Sequence, residues 1–245
     1  MEHWPHYSRA PLMSAVIEFR LGDPIDDADL RRLTEKFGKL KWKSEELIEF
    51  QLNFAGRQAQ PPVQRVTGFK FTSPDADRVI NVDRQNYSVT VLPPYLGWEK
   101  FLESFYEYLP LWKKIVGRRP LSRIGVRYVN RFDIPCVQGE MVRLQDYMVF
   151  TTTEPDILDE PVRGLMMQVN SGISADKLQV NLGTVGVMSP VVDHVGVSLD
   201  IDLYREAVDV PQSENDIREF LNLARRRRTE IFEKCITDRT RQLIS

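Results

Sequence analysis

Residues 121–134, LSRIGVRYVNRFDI, alternate so regularly that the pattern nearly fixes their fold. Ile124, Val126, Tyr128, Phe132 and Ile134 fall on one side, and Arg123, Arg127 and Arg131 fall on the other. Successive side chains of a strand point to opposite faces. Period two in β-branched and aromatic residues therefore means a long strand with one apolar and one basic face. A chain with several such segments has to assemble them into a sheet and cover the apolar side.

The same alternation opens the chain. In LMSAVIEFRL (12–21), Met13, Ala15, Ile17, Phe19 and Leu21 alternate with Ser14, Glu18 and Arg20. Three short strands are predicted at VQRVTGFKFTS, RVINVDR and YSVTVLP, with the turn-forming stretches SPDAD and RQN between them. A second trio reads RGLMMQVNSGIS, KLQVNLGTV and HVGVSLDIDLY, the first two joined by a hairpin turn at SADK and the third reached by a longer link.

Between the strands the period changes. Leu30, Leu33 and Phe37 share one side of a helix that Asp26 or Asp27 can cap and that Gly38 can stop as its C′ residue. Trp98, Phe101, Leu102, Phe105, Leu109, Trp112 and Ile115 sit at helical spacing, with Pro110 expected to kink or divide the helix. The closing segment, 213–244, starts at Ser213 and Asp216 and carries Ile217, Phe220, Leu221 and Ala224 on one face. Residues 137–150 read as a short helix, and EPDILDEP (154–161) as an acidic loop. Within residues 41–62, KSEELIEFQLNF (43–54) fits either a short helix or an irregular strand, and GRQAQPP (56–62) reads as a loop.

In order, this is β-α-βββ-α, twice. The expected fold class is α+β: tandem β-α-βββ-α units, residues 1–118 and 119–245, forming one compact pseudo-duplicated domain. One antiparallel sheet or two would carry the long amphipathic helices packed on one face.

A formal net charge of −2, with 42% hydrophobic and 28% charged residues, describes a folded chain that does not bind nucleic acid by bulk charge. Cys136 and Cys235 are far apart and read as two buried thiols. The start, MEHWPHYSRAP, lacks a basic segment followed by an apolar run, and no stretch reaches the about 18 apolar residues of a membrane span. The expectation is a cytoplasmic protein with no membrane partner.

No phosphate-loop, dinucleotide, nucleophile-elbow or H-E-x-x-H pattern occurs. The histidines are His3, His6 and His194, and HWPH reads better as a chain terminus than as a metal site. Asp200 and Asp202 share a strand face about 7 Å apart, close enough to converge on Mg²⁺, but no third acidic ligand is evident. No catalytic set, metal or cofactor is therefore expected, and a metal-dependent enzyme at Asp200 and Asp202 is kept as an alternative.

Two basic features invite a binding role. Arg127 lies about 13 Å along the strand from Arg123 and from Arg131, too far for all three to grip one phosphate. The strands of the second half add Gln168, Asn170, Gln179, Asn181, Asp200 and Asp202 to their non-apolar faces. This face is either a solvated surface of Arg–Asp pairs, with Asp200 or Asp202 as cross-strand partner, or a ligand- or partner-binding groove. That groove would be formed by Arg123, Arg127, Arg131, Asn170, Asn181, Asp200 and Asp202. A second basic patch is Arg225, Arg226 and Arg227, part of an Arg225–Arg228 run that rings its helix. There Glu230 can pair with Arg226, and the stem of Arg228 can snorkel from the apolar seam.

YLGWEKF (95–101), then RIGVRYVNRF (123–132), resemble a sporadically distributed, uncharacterised bacterial family of about this length, with Y-x-G-W-x-x-F and R-I-G-x-R-Y-x-N-R motifs. PLMSAVIEFR and the strand containing Asp200 and Asp202 extend the resemblance over most of the chain. Patchy distribution implies an accessory, defence-related or mobile-element-linked role. The function expected is a non-enzymatic module that binds a protein or peptide. A homo-oligomer, and a nucleotide or nucleic-acid ligand held by the arginine face, are alternatives.

Overall fold

The computed structural model describes residues 7–51, 54–55, 58–59, 63–136, 142–152 and 164–245. The HWPH stretch and the acidic segment 154–161 lie outside them. The strands are β1 (Leu12–Leu21), β2 (Lys43–Gln51), the two-residue pair β3 (Phe54–Ala55) and β4 (Gln58–Ala59), β5 (Val63–Thr72), β6 (Arg78–Asp83), β7 (Asn86–Val91), β8 (Leu121–Pro135), β9 (Met166–Ile173), β10 (Leu178–Val187) and β11 (His194–Glu206). The helices are α1 (Asp27–Gly38), α2 (Trp98–Val116), α3 (Glu214–Cys235) and α4 (Asp238–Ile244). The fold is α+β: a nine-stranded antiparallel sheet ordered β2-β5-β6-β7-β1-β8-β11-β10-β9, with four helices. Contacts divide the chain into two compact units, one of Val16–Ile124 with Glu206–Gln212, the other of Met1–Ala15, Gly125–Arg205 and Ser213–Ser245.

In the first unit, Asp26 caps α1 by accepting the Asp29 N–H at 2.8 Å, and Leu30, Leu33 and Phe37 are buried. Gly38 was expected beyond the helix as its left-handed stop, but it is the last helical residue. The turn after it tightens, with the Lys39, Leu40 and Lys41 amides each bonded three residues back. The left-handed residue is Lys41, at φ 57°. Phe37 stacks on Phe71 of β5 with ring centroids 5.6 Å apart.

The α2 helix runs through Pro110 without dividing, and Pro110 lies on its exposed side. Gly97 at φ 100° and Gly117 at φ 67° bound it, conformations that residues with a Cβ rarely adopt. Phe105 meets Phe19 of β1 edge-on at 4.9 Å, and Trp112 stacks on Tyr87 of β7 at 5.5 Å. The Tyr87 hydroxyl donates to the Phe105 carbonyl at 2.8 Å, so the phenol of this aromatic cluster is satisfied, while the indole N–H of Trp112 is buried without a partner among the described residues.

The ambiguous segment is a strand. β2 pairs with β5 over Lys43–Gln51, with a bulge between Leu47 and Ile48. Gly68 lies opposite Leu47 on β5, and its other neighbour is Asp83 of β6. A Cβ at Gly68 would overlap the Asp83 side chain, which closes the β6–β7 turn by accepting the Gln85 and Asn86 amides at 2.7 Å each.

In the second unit, Val126, Tyr128, Phe132 and Ile134 of β8 are buried, as are Val197, Leu199, Ile201 and Leu203 of β11. Phe232 of α3 stacks on Phe132 at 6.2 Å. Ser213 caps α3 by accepting the Asp216 N–H. Two expectations fail here, for one reason. The closing helix stops at Cys235, and among the described residues of 137–150 the only helical turn is a 3-10 turn at Leu144–Asp146. Met148 instead bridges Ile236, Val149 donates to the Cys235 carbonyl, and Thr237 donates to the Tyr147 carbonyl. The segment thus bonds to the α3–α4 connection, and Thr237 caps α4.

Trp112 is 2% exposed within the aromatic cluster. Trp112→Ala is expected to lower the unfolding free energy by about 3–5 kcal/mol in a urea titration, the range for emptying a packed aromatic site.

Candidate functional site

The non-apolar side of the second unit's strands is a chain of paired polar groups. Arg127 Nε donates to Asp200 Oδ1 at 2.8 Å and to Oδ2 at 3.0 Å, and its Nη2 also reaches Oδ2. Across the sheet, Asp200 faces Gly183 of β10, and Gly183 faces Gln168 of β9. Asp202 faces Asn181, which donates to its Oδ2 at 3.4 Å. Asn181 in turn faces Asn170, which accepts from Gln168 at 3.2 Å. Alternation and register alone produce this ladder, since each residue is two positions from the next of its face.

The predicted arginines are therefore matched one by one with carboxylates. Arg127 has Asp200, and Arg131 has Asp133 at 3.3 Å. Arg123, in the first unit, has Glu18 at 2.9 Å, and its side chain is 15% exposed. Of the three, Arg127 is forked onto its carboxylate through Nε and Nη2. Both oxygens of Asp200 accept from Arg127. Among the described residues no group of three or more His, Cys, Asp or Glu is arranged to hold a metal.

The basic run on α3 is a ring, as expected. Arg225 and Arg226 are exposed. Arg227 bonds Asp176 at 2.5 Å and Glu230 at 2.7 Å, so Glu230 takes the arginine three residues back and not Arg226. The guanidinium of Arg228 stands 3.9 Å from the centre of the Tyr128 ring, where its charge meets the electron-rich face of an aromatic core residue.

Sequence reasoning missed the surface beside this ladder. The link between β10 and β11 exposes Met188 by 94%, Val191 by 46% and Val192 by 83%, and Met166, at the start of β9, is 85% exposed. The link is pinned. Ser189 Oγ donates to Asp133 at 2.9 Å and accepts the Val191 amide at 3.1 Å. His194 Nδ1 lies 2.8 Å from the Val192 carbonyl, and Cys136 donates its amide to Asp193. The available signal was VMSPVV itself, an apolar run around a proline where a link is normally polar.

No protein-family model matches the chain, and neither does any curated protein sequence. No described helix is long and apolar enough to cross a membrane.

Both cysteines are free, and burial pushes the Cys235 thiol up from 9.0 to about 11. A thiol with a raised pKa in the folded state favours folding while protonated. That contribution is whole below about pH 9.0 and is lost as pH rises through about 11. Stability is expected to fall across this window, and Cys235→Ala to flatten the fall when melts are compared pH by pH. Arg127 is 53% exposed, so Arg127→Ala is expected to cost only about 0–1 kcal/mol by urea titration, because solvent screens the pair.

Proposed function

We propose that this chain is a non-enzymatic binding module for a protein or peptide partner, acting in an accessory bacterial complex. The observation that carries the reading is the pinned apolar link, with Met188 and Val192 more than four-fifths exposed. Large apolar side chains gathered on an ordered surface cost nothing to hold in place and gain by being covered, which is the character of an interaction site. The polar ladder of Asn170, Asn181, Asp200 and Asp202 would serve as its hydrogen-bonding flank, with Arg127 and Arg131 holding the carboxylates in place. Two free cysteines accord with a cytoplasmic setting.

The same proposal extends to the architecture. Residues 1–118 and 119–245 are read as two copies of one β-α-βββ-α unit, with helices on one sheet face, in a member of the bacterial family that the Y-x-G-W-x-x-F and R-I-G-x-R-Y-x-N-R motifs suggest. Strand order supports the duplication: β1-β7-β6-β5 in the first half and β8-β11-β10-β9 in the second. In each, the first strand neighbours the last, and a long helix follows. The halves differ in that the first adds β2 and carries α1 where the described residues of the second have the 3-10 turn at Leu144–Asp146. A defence-related role follows only from the family's patchy distribution.

The test is capture of partners from the native host on immobilised full-length chain. Met188→Glu and Val192→Glu are expected to melt like wild type and to lose the proteins that wild type retains. An unchanged set of captured proteins would remove the apolar link from the reading.

A further inference from the structure

The sheet has two ends, and they are built differently. β2, at one end, carries Lys43, Glu45, Glu46 and Glu49 and contains the bulge at Leu47–Ile48. Charges and bulges are the devices by which natural sheets keep other strands from adding to an edge. β9, at the other end, reads MMQVNSGI: no charge and no proline. Its register with β10 runs unbroken from Met166↔Val185 to Ile173↔Leu178. Its residues are exposed on both faces, Val169 by 43%. Among the described residues no strand lies beyond it.

We infer that β9 pairs antiparallel with β9 of a second copy of this chain, joining two sheets across a two-fold axis. The edge is self-complementary. A charged residue near a two-fold axis meets its own like charge, and β9 has none to meet. Its polar side chains, Gln168 and Asn170, are amides, each both donor and acceptor, so the same surface can bond to itself.

The parity of the strand selects the register. Pairing residues of equal parity keeps the like faces of the two copies on one side of the joined sheet. A register centred on Val169 does this and sets Val169 against Val169. It also sets Gln168 of each copy against Asn170 of the other, and Met167 against Ser171. The row of amides on the polar side and the apolar row on the other then continue across the junction. Backbone pairing supplies the attraction, as in strand addition generally. This interface is separate from the apolar link proposed for the heterologous partner.

The experiment measures the solution mass of full-length chain by light scattering. Wild type is expected at twice the chain mass, and Val169→Lys and Val169→Glu each at the chain mass, with melting above or equal to a diluted wild-type monomer. An equimolar mixture of the two variants is expected to return to the dimer mass, because lysine then faces glutamate. Should either charged variant fail to fold, Val169→Cys in a Cys136→Ser background is expected to oxidise to a covalent dimer. Directly opposed residues of an antiparallel pair lie about 4.5–5.5 Å apart at Cα, within disulfide reach. A monomeric wild type, a dimer that survives Val169→Lys, a mixture that stays monomeric or a cysteine variant that does not cross-link would each overturn the inference. Met188→Glu and Val192→Glu, off β9, are expected to leave the dimer intact, so this result stands apart from that of the partner-capture test.

Discussion

Covering the apolar side of the alternating strands is the constraint on which the other features depend. In the first unit Phe19, Tyr87, Phe105 and Trp112 interlock, with Phe37 and Phe71 beside them. In the second, Phe132 and Phe232 stack while the Tyr128 ring takes the guanidinium of Arg228. Aromatic side chains bury large areas, and apolar burial is worth roughly 25 cal/mol per Å². Strand alternation then sends every second residue to the other side. There Arg123, Arg127 and Arg131 need partners of their own, and Glu18, Asp200 and Asp133 supply them.

Strong periodicity was legible. β1, β8 and β11 alternate over long runs, and α1, α2 and α3 keep an apolar stripe, so these elements could be read directly. What escaped was set by partners distant in sequence. KSEELIEFQ is polar enough for a helix surface and becomes β2 because β5 offers a ladder. Residues 144–150 carry the buried Leu144, Tyr147 and Met148 at spacing that suits a helix, but after one 3-10 turn the Val149 and Phe150 amides go to the Cys235 carbonyl and the Tyr147 carbonyl accepts from Thr237. Pro110 sits on the exposed side of α2, and the helix continues through it.

The candidate site was half legible. Parity put Arg127 and Asp200 on non-apolar faces, and register made them partners, which only the three-dimensional pairing of β8 with β11 could decide. The apolar link at Met188 and Val192 was invisible to a search for catalytic or charged patterns, because its signal is apolar residues outside any period. Glu230 shows the same limit on a smaller scale: helical spacing allowed Arg226 or Arg227, and the added pull of Asp176 on Arg227 decided it.

The guarded end at β2 has a consequence for how far association can go. A sheet open at both ends is a monomer for polymerisation, since each added copy presents a fresh edge. Here the bulge at Leu47–Ile48 and the charges of Lys43, Glu45, Glu46 and Glu49 close one end of the sheet. Among the described residues, whatever strand joins β9 therefore meets the one unguarded end of the nine-stranded sheet, and growth of that sheet terminates there. The bulge acts as a chain stopper, separating a finite assembly from a fibre.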